Sequence, residues 1–380
     1  MKAASVSDYR ELARRKLPNM LFEYIDGGSY AEATLRRNVA DLEAIALRQR
    51  VMRDTTRLDM TVETLGQTLK MPIGLAPVGM AGMYARRGET QAARAAATVG
   101  VPFCLSTVGV CSIEEVAKTG TPPWFQLYML KDRGYMRELI QRAKAVGSPV
   151  LVFTVDLPTP GSRYRDVRSG FTGATALQAA LTQVRDGITH PGWTWDVFLH
   201  GRPHTLGSVE GAVTEGRRVT DFLSWIARNF DRSVTWKDLD WVRETWDGPI
   251  VVKGVLDPAD ARDAVRAGAQ GLVVSNHGGR QLDGVRSAIS ALPQIAEAVG
   301  GDLEIYMDGG VRSGLDVLKA LALGAKACFV GRPWAWALGA GGQAAVQKML
   351  ETLRAELAVA MILTGCTDVR NASSSLIDRG

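Results

Sequence analysis

From residue 71 to residue 332 the chain repeats one pattern: a short apolar run ends in turn or polar residues, and a helix-patterned stretch follows. Eight runs do this: IGLAPVG at 73–79, VPFCLST at 101–107, WFQLYM at 124–129, VLVFTVD at 150–156, IVVKG at 250–254, GLVVSN at 271–276, LEIYMDGG at 303–310 and ACFVGR at 327–332. Short buried runs that alternate with helices are the pattern of parallel strands joined by helical crossovers. Eight of them predict an α/β fold of the (β/α)8 TIM barrel class. The stretches ETQAARAAATVG (89–100), DPADARDAVRAG (257–268) and SGLDVLKALALG (313–324) read as three of the crossovers, each closing on a glycine suited to a helix end.

The whole chain, 1–380, is expected to form one domain. Residues 1–70 read as an N-terminal helical extension with an extended piece, covering the bottom or side of the barrel. The barrel strands fall within 71–160 and 249–335, and residues 336–380 form a C-terminal helical region. Between strands four and five lie roughly 90 residues, far more than an ordinary βα connection needs, so 161–248 is read as a functional insertion. Its first half, about 165–219, is rich in Gly, Arg and Thr and is expected to be a mobile lid or surface loop. Its second half, about 220–246, reads as two helices anchored by Trp225, Trp236, Trp241 and Trp246.

Composition removes several classes. Hydrophobic residues at 46% and charged residues at 22% exclude disordered and fibrous chains. The longest charge-free run, 95–113, is broken by Gly100, Pro102, Ser106 and Gly109, so no membrane-spanning helix is expected. The first residues, MKAASVSDYRELARRKL, lack the apolar core of a signal peptide. Cysteines at 104, 111, 328 and 366 fit neither a disulfide framework nor a zinc spacing, which points to a reducing cytoplasmic compartment and no metal site. A net charge of +5, spread along the chain, favours an anionic small molecule or an acidic surface over nucleic acid.

In a parallel barrel, reactive groups gather at the C-terminal strand ends, where the loops converge over the axis. Read in order, those ends carry Gly79, Ser106, Gln126 and Tyr128, Thr154 and Asp156, Lys253, Ser275 and His277, Asp308, and finally Gly331 and Arg332. Lys253 stands out, because loop capping does not account for a lysine inside the apolar run IVVKGV. DGGVRSG at 308–314 turns a strand into a helix through paired glycines beside Arg312, an arrangement suited to a phosphate, and Gly331-Arg332 supplies a second cradle. In SNHGGRQLDG (275–284) an imidazole and a guanidinium stand three residues apart. Asp156 is placed to orient His277 as a base, and Arg280 with Arg163 of GSRYRD to clamp a carboxylate. Each of these residues also has a purely structural explanation when taken alone.

Together the motifs resemble the FMN-dependent 2-hydroxy acid dehydrogenase/oxidase family, which includes L-lactate dehydrogenases, glycolate oxidases and mandelate dehydrogenases. The likeness runs from YRELARRKLP and YIDGG through LAPVGM, FQLY, FTVDLPTPGSR, VVKGVL, SNHGGRQLDG and DGGVRSG to FVGRP. MYARRGE and WTWDVFLHGRPH look most like bacterial respiratory L-lactate dehydrogenases. The resemblance implies FMN as cofactor, its phosphate on Gly310, Arg312, Gly331 and Arg332 and its ribityl chain on Asp308. Its ring would contact Ala76, Pro77, Val78, Gly79, Ser106, Gln126, Thr154 and Lys253, and Ser275 would also bind the cofactor. The substrate, a small 2-hydroxy acid, would have its carboxylate on Arg163, Arg280 and Tyr24. Tyr128 and His277 would meet its hydroxyl, with Asp156 behind His277. A quinone or other non-oxygen acceptor and a homotetramer are implied in the same way.

Four readings compete with a dehydrogenase that oxidises L-lactate to pyruvate: an oxidase producing hydrogen peroxide, a mandelate- or glycolate-type dehydrogenase, a phosphate-binding barrel without turnover, and a flavin-dependent isomerase. Oxidases of the family often carry Ala where this chain has Gly79, which favours the dehydrogenase. Segment 185–204 places Trp193, Trp195 and Phe198 among basic residues. It reads either as a lid over the barrel mouth or as contact with an anionic membrane on its cytoplasmic face.

Overall fold

The computed structural model describes residues 2–173, 176–210 and 228–378. All eight expected strands form: β1 (Ile73–Leu75), β2 (Cys104–Ser106), β3 (Trp124–Tyr128), β4 (Leu151–Thr154), β5 (Ile250–Val255), β6 (Gly271–Val274), β7 (Glu304–Asp308) and β8 (Ala327–Val330). They make one parallel sheet in the order β1-β8-β7-β6-β5-β4-β3-β2. A parallel bridge between Leu75 and Phe103 closes it into a barrel. Within the barrel pack Cys104, Trp124, Val152, Val251, Val273, Tyr306 and Phe329, all buried, so the axis is filled at this level.

Three helices precede the barrel: α1 (Val6–Lys16), α2 (Asn19–Asp26) and α3 (Ala33–Ala44). Residues 1–70 reach further than the expected bottom or side of the barrel. The antiparallel hairpin of 62–64 and 67–69 does reach the lower barrel, where the Trp124 indole donates to Gln67. The end of α2, however, lies at the mouth, because Arg280 and Arg332 bind the carbonyls of residues 24–27.

The crossovers are α4 (Gly88–Val99), α5 (Ile113–Ala117) and α6 (Arg133–Ala145). After β4 come α7 (Tyr164–Arg168), α8 (Ala176–Thr189) and α9 (Asp238–Thr245), and the barrel resumes with α10 (Pro258–Arg266), α11 (Ala288–Val299) and α12 (Gly314–Ala322). The long α13 (Arg332–Thr364) breaks at Gly341 and Gly342 and packs on α1, α4 and α12.

The expected loop over 165–219 needs correction. Its described residues are largely helical, with α8 followed by a helical turn at 191–193 and a π-helical turn at 194–199. The stretch ALQAALTQVRDGIT has the Ala, Leu and Gln content of a helix, which the surrounding Gly and Thr obscured. Of the two helices expected over 220–246, α9 is seen. The other, with Trp225, lies outside the described residues apart from a helical turn at 228–229. Trp246 is buried and Trp236 and Trp241 partly so.

Candidate active site

A cavity of about 860 Å³ opens at the C-terminal ends of the strands. Tyr24, Ala76, Pro77, Val78, Gly79, Tyr128, Arg163, Lys253, His277, Arg280, Asp308, Gly310, Arg312, Gly331 and Arg332 all line it. Ser106, Gln126, Thr154 and Ser275 are buried just beneath, on the same strand ends. Strand register explains the grouping, since Tyr128 pairs with Thr154 and Thr154 with Lys253 across adjacent strands.

His277 sits in a left-handed backbone conformation (φ 57°) between β6 and the loop that follows. Its Nδ1 lies 2.9 Å from Asp156 Oδ1. Burial alone would raise the Asp156 pKa, but His277 and Lys253 outweigh it and hold the carboxyl below its usual value. An ionised Asp156 has no proton to give, so Nδ1–H is the donor and Nε2 is left as the free, basic nitrogen. Burial lowers the His277 pKa, Asp156 opposes this, and Lys253 and Arg163 add to the lowering. The imidazole is therefore neutral at physiological pH, as a base must be.

Lys253 Nζ donates to Ser275 Oγ at 3.0 Å and lies 3.1 Å from Asp308 Oδ2. Burial works against its charge, yet Asp308 and Asp156 outweigh burial and raise its pKa. A permanent cation therefore stands at the barrel axis.

Arg163 and Arg280 form a second cationic centre. The Arg280 guanidinium carbon lies 4.9 Å and that of Arg163 5.8 Å from the Tyr24 ring centre. Burial lowers the Arg163 pKa and Arg280 lowers it further. The one ion-pair carboxylate of Arg163 among the described residues, Asp166, is 3.9 Å away, and burial raises its own pKa. Two close guanidinium groups with so little compensation fit an incoming carboxylate.

The far end of the cavity is anion-seeking, though not in the expected way. The N-terminus of α12 is already capped: Asp316 Oδ2 accepts from the amides of Arg312 and Ser313, and Glu356 accepts from Gly314. Those amides cannot serve a phosphate without breaking a capping box. The amides of Gly310 and Val311, one step upstream, have no protein acceptor among the described residues. A Cβ at Gly310 (φ 93°) would sit 2.0 Å from the Asn38 carbonyl oxygen, so only glycine keeps this turn. Arg312 stacks on Trp336 with burial pulling its pKa down to about 10, so it remains charged. Arg332 donates to four backbone carbonyls, of Ile25, Asp26, Gly27 and Gly278. Neutral acceptors leave its charge unneutralised, and burial with Arg280 and Arg312 lowers its pKa.

Among the described residues, the buried atoms Gln126 Nε2 and Thr154 Oγ1 at the cavity floor have no partner. Unpaired buried polar atoms are costly unless a ligand satisfies them. Free hydrogen-bonding groups at the axis, a cation beside them and two arginines at the rim fit an elongated ligand with a polar ring and a terminal anion. The residues present thus suit FMN.

Phe171, Phe230, Val108 and Leu157 also line the cavity and were not picked out from sequence. Phe171 packs on Tyr24 at 4.8 Å and Phe230 edge-on against Tyr128 at 5.4 Å. Both phenylalanines come from the insertion, and no local motif marks them. No residue of 185–204 lines the cavity. Trp193 instead donates to the Met83 carbonyl at 2.8 Å.

A protein-family model described as FMN-dependent dehydrogenase matches residues 13–379, and the chain belongs to that family. It is an FMN-dependent L-2-hydroxy acid dehydrogenase that resembles the bacterial L-lactate dehydrogenases. It is 57% identical over 380 residues to an L-lactate dehydrogenase of Xanthomonas campestris pv. campestris, covering 100% of this chain and 98% of that one. It is 55% identical to an L-lactate dehydrogenase of Chromohalobacter salexigens, covering 100% and 96%. Among solved structures, the monotopic membrane protein (S)-mandelate dehydrogenase superposes with a TM-score of 0.93 at 32% identity over all of both chains.

Proposed function

We propose that the protein oxidises L-lactate to pyruvate and passes the electrons to a quinone or another non-oxygen acceptor. The observation that carries this reading is the His277–Asp156 pair, at 2.9 Å, in the same cavity as the Arg163 and Arg280 guanidinium groups. Arg163, Arg280 and the Tyr24 phenol hold the carboxylate, which fixes C2 near the imidazole. Tyr128 orients the 2-hydroxyl, and His277 Nε2 removes a proton while Asp156 stabilises the imidazolium. FMN, when bound, accepts the two electrons. Gly310, Arg312, Gly331 and Arg332 would hold its phosphate, Asp308 its ribityl chain, and Ser275 would bind the cofactor as well. The Ala76–Gly79 backbone, Ser106, Gln126 and Thr154 would contact its ring. Lys253 supplies positive charge where negative charge accumulates on reduction.

Gly79 supports a dehydrogenase over an oxidase by family resemblance. A Cβ there would meet Val108 Cγ2 at 2.7 Å, so alanine requires Val108 to shift. Anaerobic titration with L-lactate, L-mandelate and glycolate, with peroxide yield measured in air, tests both substrate and acceptor.

The reading includes peripheral attachment to the cytoplasmic face of the membrane. Among the described residues no helix is long and apolar enough to cross one. Leu181, Val184 and Ile188 repeat at helical spacing on α8, and with Trp195, Phe198 and Leu199 they are 42–75% exposed. Salt-sensitive binding to anionic vesicles tests the attachment. The homotetramer rests on family resemblance and is tested by light scattering.

A further inference from the structure

A second cavity, about 580 Å³, lies between α4 and α5 outside the active site. Arg86, Arg87, Arg94 and Lys118 line it, against one carboxylate, Glu115, with Gln343 of α13 at its edge. Gln91 and Arg94, three residues apart, share a face of α4, and Arg87 precedes its first turn. Glu115 is bound to Arg87, and Arg86 lies 3.5 Å from Asp196. Arg94 and Lys118 have no ion-pair partner among the described residues. The groove thus holds two tethered cations and two free ones, a surplus that neither the active site nor the fold uses.

The groove is joined to the exposed apolar segment by direct contacts. Arg86 meets Asp196 of the π-helical turn, Arg87 Nη1 donates to the Pro203 carbonyl at 3.0 Å, and Trp193 donates to Met83. Trp195, Phe198 and Leu199 are therefore held beside it. Arg202 lies 5.6 Å from the Phe198 ring centre and His200 4.4 Å from that of Trp195.

We propose that the Arg86–Arg87–Arg94–Lys118 groove seats the phosphate of an anionic phospholipid headgroup while Trp195, Phe198 and Leu199 rest among its acyl chains. The inference rests on the membrane attachment above and gives it a defined headgroup site. A free phosphate has the same chemistry, but the adjoining apolar side chains suit a ligand with a hydrocarbon part.

The test uses the full-length FMN-loaded protein and vesicles of phosphatidylglycerol mixed with phosphatidylcholine. Arg94→Gln with Lys118→Gln weakens binding by roughly thirtyfold, about fivefold for each charge. Dye-coupled lactate oxidation in solution is unchanged. The control, Arg262→Gln with Arg266→Gln on α10 across the barrel, leaves binding near the parent value. Equal losses in both pairs mean diffuse attraction and overturn the groove. If the groove pair binds as tightly as the parent while Trp195→Ser with Phe198→Ser does not, membrane attachment stands and the headgroup site falls. If the parent ignores anionic vesicles at low salt, both fall. If inorganic phosphate at matched ionic strength binds the parent and not the groove pair, while vesicle binding is equal in both, the groove serves a soluble phosphate and the lipid assignment is overturned.

Discussion

The Nδ1 of His277 lies 2.9 Å from Oδ1 of Asp156, although β6 and β4 bring the two residues from positions 121 apart in the chain. The hydrogen bond fixes the tautomer, and Asp156 opposes the lowering of the imidazole pKa by burial. Both effects are open to measurement.

The acid limb of kcat/KM should fall below the ordinary imidazole value of 6.5, because the base works only when neutral and its pKa is lowered. In Asp156→Asn the charge that favours the imidazolium is gone, so the limb moves to still lower pH. The plateau should drop by about a hundredfold as the base weakens. A pH profile with an artificial dye under nitrogen reads both changes, and a limb displaced to higher pH would contradict the assignment.

Arg163 is partly buried beside another guanidinium, and its one ion-pair carboxylate among the described residues is 3.9 Å away. Arg163→Gln should lower kcat/KM for L-lactate by about two to three orders of magnitude. The ligand-free variant should melt no lower than the parent, because a repulsion is removed with the charge. Pyruvate should raise the melting temperature of the parent and not of the variant.

Lys253 is the only cation bonded to Asp308 among the described residues. Lys253→Met leaves that buried carboxylate with Ser275 alone and should cost about 3–5 kcal/mol of stability. Denaturant unfolding measures the loss. Lys253→Met with Asp308→Asn should recover part of it, which a simple packing defect would not.

Gly310→Ala places a Cβ 2.0 Å from the Asn38 oxygen in a left-handed turn. The strain should exceed about 3 kcal/mol and release FMN, because the turn that presents the Gly310 and Val311 amides must move. Absorbance after gel filtration and the melting temperature report the two effects.

The barrel was legible because each strand is a short apolar run with its polar residues at one end, a pattern set by local chemistry. The same rule placed His277, Lys253 and Asp308 at the mouth. Phe171 and Phe230 were not legible, since they reach the cavity only through the path of the insertion. The carbonyls bound by Arg332 were hidden for the same reason, because residues 25–27 meet β8 only in the folded chain. The phosphate loop was half legible: DGGVR marks the turn, but Asp316 closes the helix terminus and moves the open amides upstream. Helix α8 was hidden by composition, as its helix-forming residues lie among glycines and threonines.

The most direct test of the mechanism is anaerobic mixing of the FMN-loaded enzyme with L-lactate, followed by flavin absorbance, in the parent and in His277→Gln. The parent should bleach within the time of a single turnover. The variant should keep its FMN and bleach more slowly by about three orders of magnitude, because the proton acceptor is gone while the cofactor cradle remains. Bleaching of the variant at near the parental rate would show that His277 is not the base.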